Sequence, residues 1–188
     1  GLEEADVIAL FNDTTNGAAN IAALSPKAIA ALSQEARFTI SNMAVEMGAK
    51  AGLMEADEKT FDWLGGYTRK EYTPVSPDDD AVYASVKTYD VSGLEPQVAK
   101  PHRVDNTVPV GAVEGTAIQQ AVLGTCTNGR LEDLRIAADI LRGKKINRNV
   151  RLIVAPASRK IYLGAIEQGI VSALVEAGAA VVTPGCGP

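Results

Sequence analysis

The sequence is poor in cysteine and histidine, and these two shortages exclude much familiar chemistry. Its 188 residues contain two cysteines, Cys126 and Cys186, and one histidine, His102. Two cysteines are too few for a disulfide scaffold and cannot close a zinc site alone. A single histidine excludes a metal cage built of histidines and leaves one possible centre for a histidine-based triad. The cysteines are therefore either incidental or chemical, and His102 is expected in a loop.

Long apolar runs and an excess of positive charge are also missing. No run reaches the roughly 20 residues that a membrane helix needs, and the first residues lack the positive end of a secretory signal, which predicts a cytoplasmic protein. Eighteen basic and 23 acidic side chains give a net charge of -5 without a basic stripe. Neither nucleic acid nor a membrane is therefore expected as a partner. With 46% hydrophobic and 22% charged residues, the chain has the composition of a soluble globular protein of one or two domains.

The first half of the chain predicts short elements joined by loops. An apolar run over residues 6–11 predicts a strand, and the turn formers that follow it include Asn12 and Asp13. Ser25 and Pro26 predict the start of one helix, and Ser33 predicts the cap of a second. That second helix is expected over residues 34–48, and two shorter helices are expected over residues 57–64 and 81–87.

The helix expected over residues 34–48 has one polar pair and one apolar face. Asn42 and Glu46 are four residues apart, so in a continuous helix both side chains point the same way. The predicted apolar face consists of Ala36, Ile40, Met43, Ala44 and Met47.

The second half of the chain is more regular than the first. We predict a domain boundary near Val98, with one domain over residues 1–98 and another over residues 99–188. Strands are expected over residues 117–124, 150–155 and 179–183, and helices over residues 131–141 and 161–177. Alternating strands and helices are typical of an α/β fold with a parallel sheet. Ligands collect at the carboxyl ends of such strands, where both Cys126 and Cys186 are expected.

Both cysteines stand in turn-forming sequence next to possible ligand-binding residues. Cys126 precedes a predicted helix, whose positive end and free backbone amides favour a thiolate; the alternative is a small buried residue. Cys186 is flanked by glycine and proline, which iron–sulfur loops use. Asn128 is either a helix cap or part of a ligand shell. Arg130 could meet a dianionic substrate or form a surface ion pair.

Three segments carry motifs of high specificity: Gly124-Thr-Cys-Thr-Asn-Gly-Arg-Leu-Glu-Asp-Leu-Arg135, Val154-Ala-Pro-Ala-Ser158 and Pro184-Gly-Cys-Gly-Pro188. Together they resemble the aconitase superfamily, and most closely its family of 3-isopropylmalate dehydratase large subunits, with homoaconitase large subunits second. The segment that contains Asn42 and Glu46 is similar to a helix of the same superfamily. The resemblance implies a three-layer α/β/α fold with a parallel sheet.

The resemblance also implies a cofactor and a set of site residues. In the superfamily three cysteines bind three irons of a [4Fe-4S] cluster and leave the fourth iron open. Cys126 and Cys186 would be two of these ligands, with a third expected just beyond residue 188. Asn42 and Glu46 would belong to the active site, with Glu46 near the cluster and the substrate. Substrate binding is expected of Asn12 and Asp13 by the resemblance, and of Asn128 and Arg130 by their place beside Cys126.

The chain departs from the pattern of this superfamily in its extent. An aspartate–histidine pair and a second histidine motif, normal before the helix with Asn42, are absent from the sequence, which indicates an internal omission near residues 21–25. The family also continues well beyond the second cysteine motif. We therefore expect an incomplete aconitase-like fold, which a truncation, a deletion or a subset of a longer subunit would equally explain.

The function that the resemblance implies is a hydro-lyase acting on a small hydroxy di- or tricarboxylate, as in leucine biosynthesis. The open iron would act as a Lewis acid while a base removes a proton next to a carboxylate. In the family that base is a serine on a swivelling domain, which split enzymes carry as a small subunit, so such a partner is expected. Homoaconitase and dimethylmalate dehydratase are alternatives within the superfamily. Alternatives of another class are an inactive fragment and a non-catalytic α/β binding module.

Overall fold

The chain forms two compact units, Gly1–Glu114 and Gly115–Pro188. The computed structural model describes residues 7–8, 21–23, 26–46, 48–86, 88–89 and 93–187. The predicted boundary between residues 98 and 99 falls inside a strand of the first unit, and as a division into domains it stays a prediction. None of the helices in the described ranges has the length and apolar character needed to cross a membrane.

Short strands pair two by two in the first unit. β1 (Val7–Ile8) and β4 (Thr88–Tyr89) are antiparallel, β2 (Ile21–Ala23) and β3 (Ala51–Leu53) are parallel, and β5 (Gln97–Ala99) and β6 (Thr107–Pro109) are antiparallel. A 3-10 helix, Val110–Val113, follows β6. β1 lies within the predicted strand over residues 6–11, whose other residues are outside the described ranges.

The first two helices of the first unit begin where the sequence predicts them, and α3 begins one residue after the predicted position. They are α1 (Pro26–Ala31), α2 (Gln34–Asn42) and α3 (Glu58–Gly65). The Ser33 hydroxyl accepts a hydrogen bond from the backbone N–H of Ala36 at 3.1 Å. The Asp57 carboxylate accepts one from the backbone N–H of Thr60 at 3.2 Å. Each cap satisfies an N–H group that has no partner within its own helix, which fixes the starts of α2 and α3.

The prediction that α2 continues to Gly48 is wrong, because the helix ends at Asn42. The Ser41 hydroxyl donates a hydrogen bond to the backbone carbonyl of Gly52. A Cβ atom on Gly52 would lie 3.1 Å from the Ser41 Cα atom, so β3 returns closely against the end of α2. The chain must turn to make this return, and residues 43–46 form turns. Asn42 and Glu46 therefore do not share a helical face.

The buried side of α2 is also partly different from the predicted apolar face. Ile40 and Met43 are exposed by 39% and 37%, whereas Arg37 is 3% exposed. The guanidinium of Arg37 donates to both carboxylate oxygens of Asp57, at 2.5 and 2.7 Å, and to the backbone carbonyl of Ile29 at 2.8 Å. Asp57 is the N-cap of α3, so one buried cation joins α2 to the start of α3.

The prediction of a helix over residues 81–87 is wrong for residues 81–86, the part of this range that the structure describes. Residues 81–86 form no helix, and the side chain of Val82 is 96% exposed. A helix of this length is marginal in water unless tertiary contacts bury one of its faces. Because apolar side chains such as that of Val82 stay exposed, burial does not offset the conformational entropy that forming a helix would cost.

The second unit is a parallel sheet with helices between its strands, which confirms the α/β fold class. β7 (Gln120–Gly124), β8 (Arg151–Ala155) and β9 (Ala180–Val181) lie side by side in that order. α4 (Thr125–Asn128) and α5 (Leu131–Leu141) connect β7 to β8, and α6 (Arg159–Glu167) and α7 (Ile170–Ala177) connect β8 to β9. Each strand lies within its predicted range, since short apolar runs bounded by glycine and proline mark all three.

The core of the second unit lies between the sheet and its helices. Leu152 and Val154 of β8 face this core, and Val122 of β7, on the opposite face of the sheet, is 49% exposed. The third layer of the predicted three-layer arrangement stays a prediction for this unit. The buried core residues are Leu134, Ala138, Val154, Ala165, Ile170, Ala173, Leu174 and Ala179.

The single helix predicted over residues 161–177 is in fact two helices, α6 and α7. The chain breaks at Gly169, whose φ of +70° lies in the left-handed region. Glycine adopts that conformation without the steric penalty of a Cβ atom. The break restarts the helix at Ile170, which is 2% exposed within the core.

Candidate functional site

Cys126 and Cys186 meet at the carboxyl edge of the second unit's sheet. Cys126 lies in α4, directly after β7, and Cys186 follows β9. Their Sγ atoms are 3.9 Å apart, no disulfide joins them, and both residues are exposed. Neither cysteine is therefore a small buried residue. The structure brings together two side chains from opposite ends of this unit's sequence, as expected for the carboxyl ends of parallel strands.

The backbone that presents Cys126 depends on two glycines. Gly124 has a φ of +125°, and a Cβ atom there would lie 2.1 Å from the backbone oxygen of Ala155. A Cβ atom on Gly129 would lie 2.5 Å from the same oxygen. Between them Thr125 has a φ of +67°, which is uncommon for a residue other than glycine. The turn between β7 and α4 is thus pressed against the end of β8, which fixes where Cys126 stands.

Asn128 and Arg130 lie just after Cys126 and are joined by a third residue, Asp133. The backbone N–H of Arg130 donates to Asp133 Oδ2 at 3.0 Å. Asn128 Nδ2 donates to Asp133 Oδ1 at 3.4 Å. Arg130 is the N-cap of α5, so Asn128 does not cap that helix as one sequence interpretation had it. The sequence reasoning missed Asp133, although an acidic residue in the first turn of a helix is a known signal for capping.

The two thiols influence each other's protonation. A hydrogen bond with the Cys126 thiol, followed by the charge of Cys126 and by desolvation, raises the pKa of the Cys186 thiol above its ordinary value. Two sulfur atoms in contact cannot both ionise easily unless a cation compensates their charges. A bound metal would supply that charge and deprotonate a coordinating thiol. The pair is therefore suited to receive a cationic centre.

The donor set fits part of an iron–sulfur site. Thiolates on rigid glycine-rich turns are the ligands that such clusters use. Cys126 and Cys186 supply two of them, and no group of three or more histidine, cysteine, aspartate or glutamate side chains gathers anywhere in the described ranges. The third cysteine expected beyond residue 188 remains a prediction.

The other predicted site residues belong to the first unit or lie outside the described residues. Asn42 is the last residue of α2, Glu46 lies in the following turn, and both are exposed. Both belong to the first unit, whereas the cysteines belong to the second. Asn12 and Asp13 lie outside the described residues. A role in the site for these four residues stays a prediction.

Comparison with known proteins decides the family. The model of the aconitase family (aconitate hydratase) matches residues 25–115 and 111–188, which cover the unit with Asn42 and the unit with both cysteines. The chain belongs to the aconitase family. This confirms the resemblance on which the sequence interpretation rested. The assignment of Cys126 and Cys186 as cluster ligands stays a prediction.

Relatives within this family carry two kinds of name. The chain is 53% identical over 162 residues to a probable methanogen homoaconitase large subunit of Methanosarcina mazei, covering 86% of this chain and 41% of the relative. It is 53% identical over 157 residues to a 3-isopropylmalate dehydratase large subunit of Halothermothrix orenii, covering 84% and 37%. It is 48% identical over 166 residues to a 3-isopropylmalate dehydratase large subunit 1 of Pyrococcus furiosus, covering 87% and 39%. The chain thus spans about two fifths of the length of these relatives.

Proposed function

We propose that this chain is part of the large, iron–sulfur subunit of a cytoplasmic 3-isopropylmalate dehydratase. The reaction is the isomerisation of 2-isopropylmalate and 3-isopropylmalate by dehydration and rehydration, which makes the protein a hydro-lyase of leucine biosynthesis. The observation that carries the proposal is the contact of Cys126 and Cys186, with Sγ atoms 3.9 Å apart, in a chain of the aconitase family. The name of the Halothermothrix orenii relative supports the choice of substrate.

In the proposed enzyme Cys126 and Cys186 hold a [4Fe-4S] cluster together with a third cysteine beyond residue 188. When bound, the cluster supplies a Lewis acid that polarises the hydroxyl group of the substrate. The turn pressed against β8 keeps the Cys126 thiol at the edge of the sheet, so it needs little rearrangement to bind. Both cysteines are exposed, which would leave room for a cluster on them at the edge of the sheet.

The remaining site residues bind and orient the substrate in this proposal. Asn128 is exposed beside Cys126, and its amide can form hydrogen bonds with a carboxylate. Arg130 can form paired hydrogen bonds with a carboxylate, for which a guanidinium is well shaped. Asn42 and Glu46 are proposed as active-site residues, and Asn12 and Asp13 as further contacts to substrate. The base that removes the proton is proposed to come from a small subunit with a swivelling domain, and the large-subunit names of the relatives support such a partner.

Homoaconitase is the second candidate. The Methanosarcina mazei relative, a probable homoaconitase large subunit, is as similar to this chain as the Halothermothrix orenii dehydratase, at 53% identity. The two candidates share the cysteine pair and the chemistry, and they differ in the hydroxy acid that the site accepts. A test with both 2-isopropylmalate and a longer hydroxy tricarboxylate separates them.

The first experiment is anaerobic iron–sulfide reconstitution of the purified chain, after its intact mass has been compared with 19.7 kDa. Bound iron, acid-labile sulfide and broad visible absorbance are measured for the wild type and for Cys126→Ser and Cys186→Ser. Ser172→Ala, in a helix of the same unit, is the matched control. If the purified protein is heavier than 19.7 kDa, so that it can supply the third cysteine, we expect a cluster in the wild type and the control and its loss in both cysteine variants.

Substrate is then tested by adding each hydroxy acid, with the small subunit of a related enzyme, and following the unsaturated acid that dehydration produces. Iron that binds equally to both cysteine variants would contradict the proposal. An absent cluster in a chain whose thiols are reduced and accessible would instead favour an inactive fragment.

A further inference from the structure

Asp133 connects the end of α4, the helix that contains Cys126, to the start of α5. Its carboxylate accepts hydrogen bonds from the backbone N–H of Arg130 at 3.0 Å and from Asn128 Nδ2 at 3.4 Å. One oxygen serves each donor, and the two donors lie on either side of Gly129. Asp133 is half-buried in the first turn of α5, so this carboxylate is held by the helix itself.

Backbone hydrogen bonds hold the residues around Gly129 as well. The backbone N–H of Gly129 donates to the carbonyl of Thr125 at 2.9 Å, and the N–H of Ala157 donates to the carbonyl of Gly129 at 2.9 Å. The first bond closes α4 at its C-terminal end, and the second anchors Gly129 to the residues after β8. α5 begins only two residues after Gly129, and the Asp133 carboxylate bridges this short connection from the side of α5.

We infer that Asp133 is a positioning residue for the cysteine pair: it holds α4 against α5 so that the Cys126 thiol faces that of Cys186. An acidic residue at this point of a helix also acts as an ordinary cap. The cap alone would account for the bond from Arg130 but not for the bond from Asn128, which lies before the helix. The bond to Asn128 ties the segment that carries Cys126 to α5.

The inference rests on the proposed function for the use of the pair, but its geometry is testable without iron. Phenylarsine oxide reacts with two thiols to form a cyclic dithioarsenite and releases one water, so two sulfur atoms must reach one arsenic atom. Its binding to the reduced chain is compared with alkylation by iodoacetamide, which needs a single thiol. The ratio of the two rates reports how well Cys126 faces Cys186, separately from how exposed either thiol is.

The variants are Asp133→Ala, which removes both hydrogen bonds, and Asp133→Asn, which can accept the bond from Arg130 but cannot also accept from Asn128. Asp139→Ala, on the same helix, removes the same charge and an exposed pair with Arg142 at 3.2 Å. We expect Asp133→Ala to lower the ratio by about tenfold, Asp133→Asn by less, and Asp139→Ala not at all. Thermal unfolding of each variant measures the capping role separately.

Each outcome decides the inference. A fall in melting temperature for Asp133→Ala with an unchanged ratio would make Asp133 a helix cap only and would overturn the inference. If Asp133→Ala does not fold, an unchanged ratio in Asp133→Asn overturns it and a lowered ratio supports it. A wild-type chain that does not bind the arsenical would show that the thiols do not meet, which also overturns it. Failure of iron–sulfide reconstitution in a chain that binds the arsenical normally would count against the proposed function alone.

Discussion

Replacing Asp57 by alanine should lower the free energy of unfolding of the first unit by more than any change to an exposed ion pair does. The variant leaves the guanidinium of Arg37, 3% exposed, without its carboxylate, and it removes the N-cap of α3. Breaking a buried ion pair from one side costs about 3–5 kcal/mol, and losing a cap costs about 1 kcal/mol. Because the side chain of Asp57 is itself 35% exposed, water can reach part of the vacated space and reduce the first figure. We therefore expect a total loss of about 3–4 kcal/mol.

Urea unfolding followed by tryptophan fluorescence measures this loss directly. Trp63 is the single tryptophan, lies in α3, and packs against Tyr67 with ring centroids 4.0 Å apart. With an m value of about 2 kcal/mol per molar, the midpoint should fall by about 1.5–2 M. The matched control is Asp105→Ala, which removes an exposed pair with Arg103 whose side chains are 63% and 79% exposed. Because water and salt screen exposed charges, that pair should contribute little to stability.

The same pair predicts the response to acid. Its hydrogen bond with Arg37 lowers the pKa of Asp57 from 3.8 to about 2. The carboxylate therefore stabilises the folded unit fully above pH 3.8, and this contribution of about 1–2 kcal/mol, after allowance for solvent screening, is lost as the pH falls towards 2. If Asp57→Ala and Asp105→Ala lowered the urea midpoint equally, or if the wild type and Asp57→Ala lost stability in parallel below pH 4, the buried pair would not act as described.

Three further predictions concern the second unit. Gly124→Ala should lower the free energy of unfolding by about 3 kcal/mol or more, because its Cβ atom would lie 2.1 Å from the Ala155 oxygen. Gly143→Ala, at φ +71° in open space, should lower it by about 1–2 kcal/mol. Circular dichroism during denaturation compares the two variants. Leu134→Ala, in the core, should lower the free energy of unfolding by about 2–5 kcal/mol in the same assay. Ile136→Ala, at a residue that is 54% exposed, should lower it by less than about 0.5 kcal/mol. Equal effects would contradict the position of the core. Cys126→Ala should lower the pKa of Cys186 towards its ordinary value, measured by thiolate absorbance against pH in chelator-treated protein; an unchanged pKa would show that the thiols do not interact.

The sequence predicted most where local signals and tertiary packing agree. The strands and helices of the second unit follow apolar runs bounded by caps and glycines, and the same residues form its core. α5 occupies the residues predicted for it, 131–141. The convergence of Cys126 with Cys186 could be anticipated as well, because parallel strands bring their carboxyl ends to one edge.

The errors have a shared physical origin, which is that periodicity does not report long-range contacts. α2 stops at Asn42 because β3 packs closely against Ser41. The helical pattern of residues 34–48 gives no sign of this contact. Arg37 reads as a surface cation until Asp57, twenty residues later, is placed beside it. The helical periodicity of residues 161–177 continues through Gly169. In the structure the helix breaks at Gly169 and begins again at Ile170, which is buried in the core.

The order of the strands also determines when the cysteine pair can exist during folding. β7, β8 and β9 are neighbours in the sheet in the order in which they occur in the sequence, so each crossover joins strands that are close in the sequence. Cys126 is in place once β7 and β8 have paired, whereas Cys186 arrives only when β9, a strand of two residues, docks against β8. The dithiol therefore reports whether β9 has docked, and its rate of formation in refolding would measure that step.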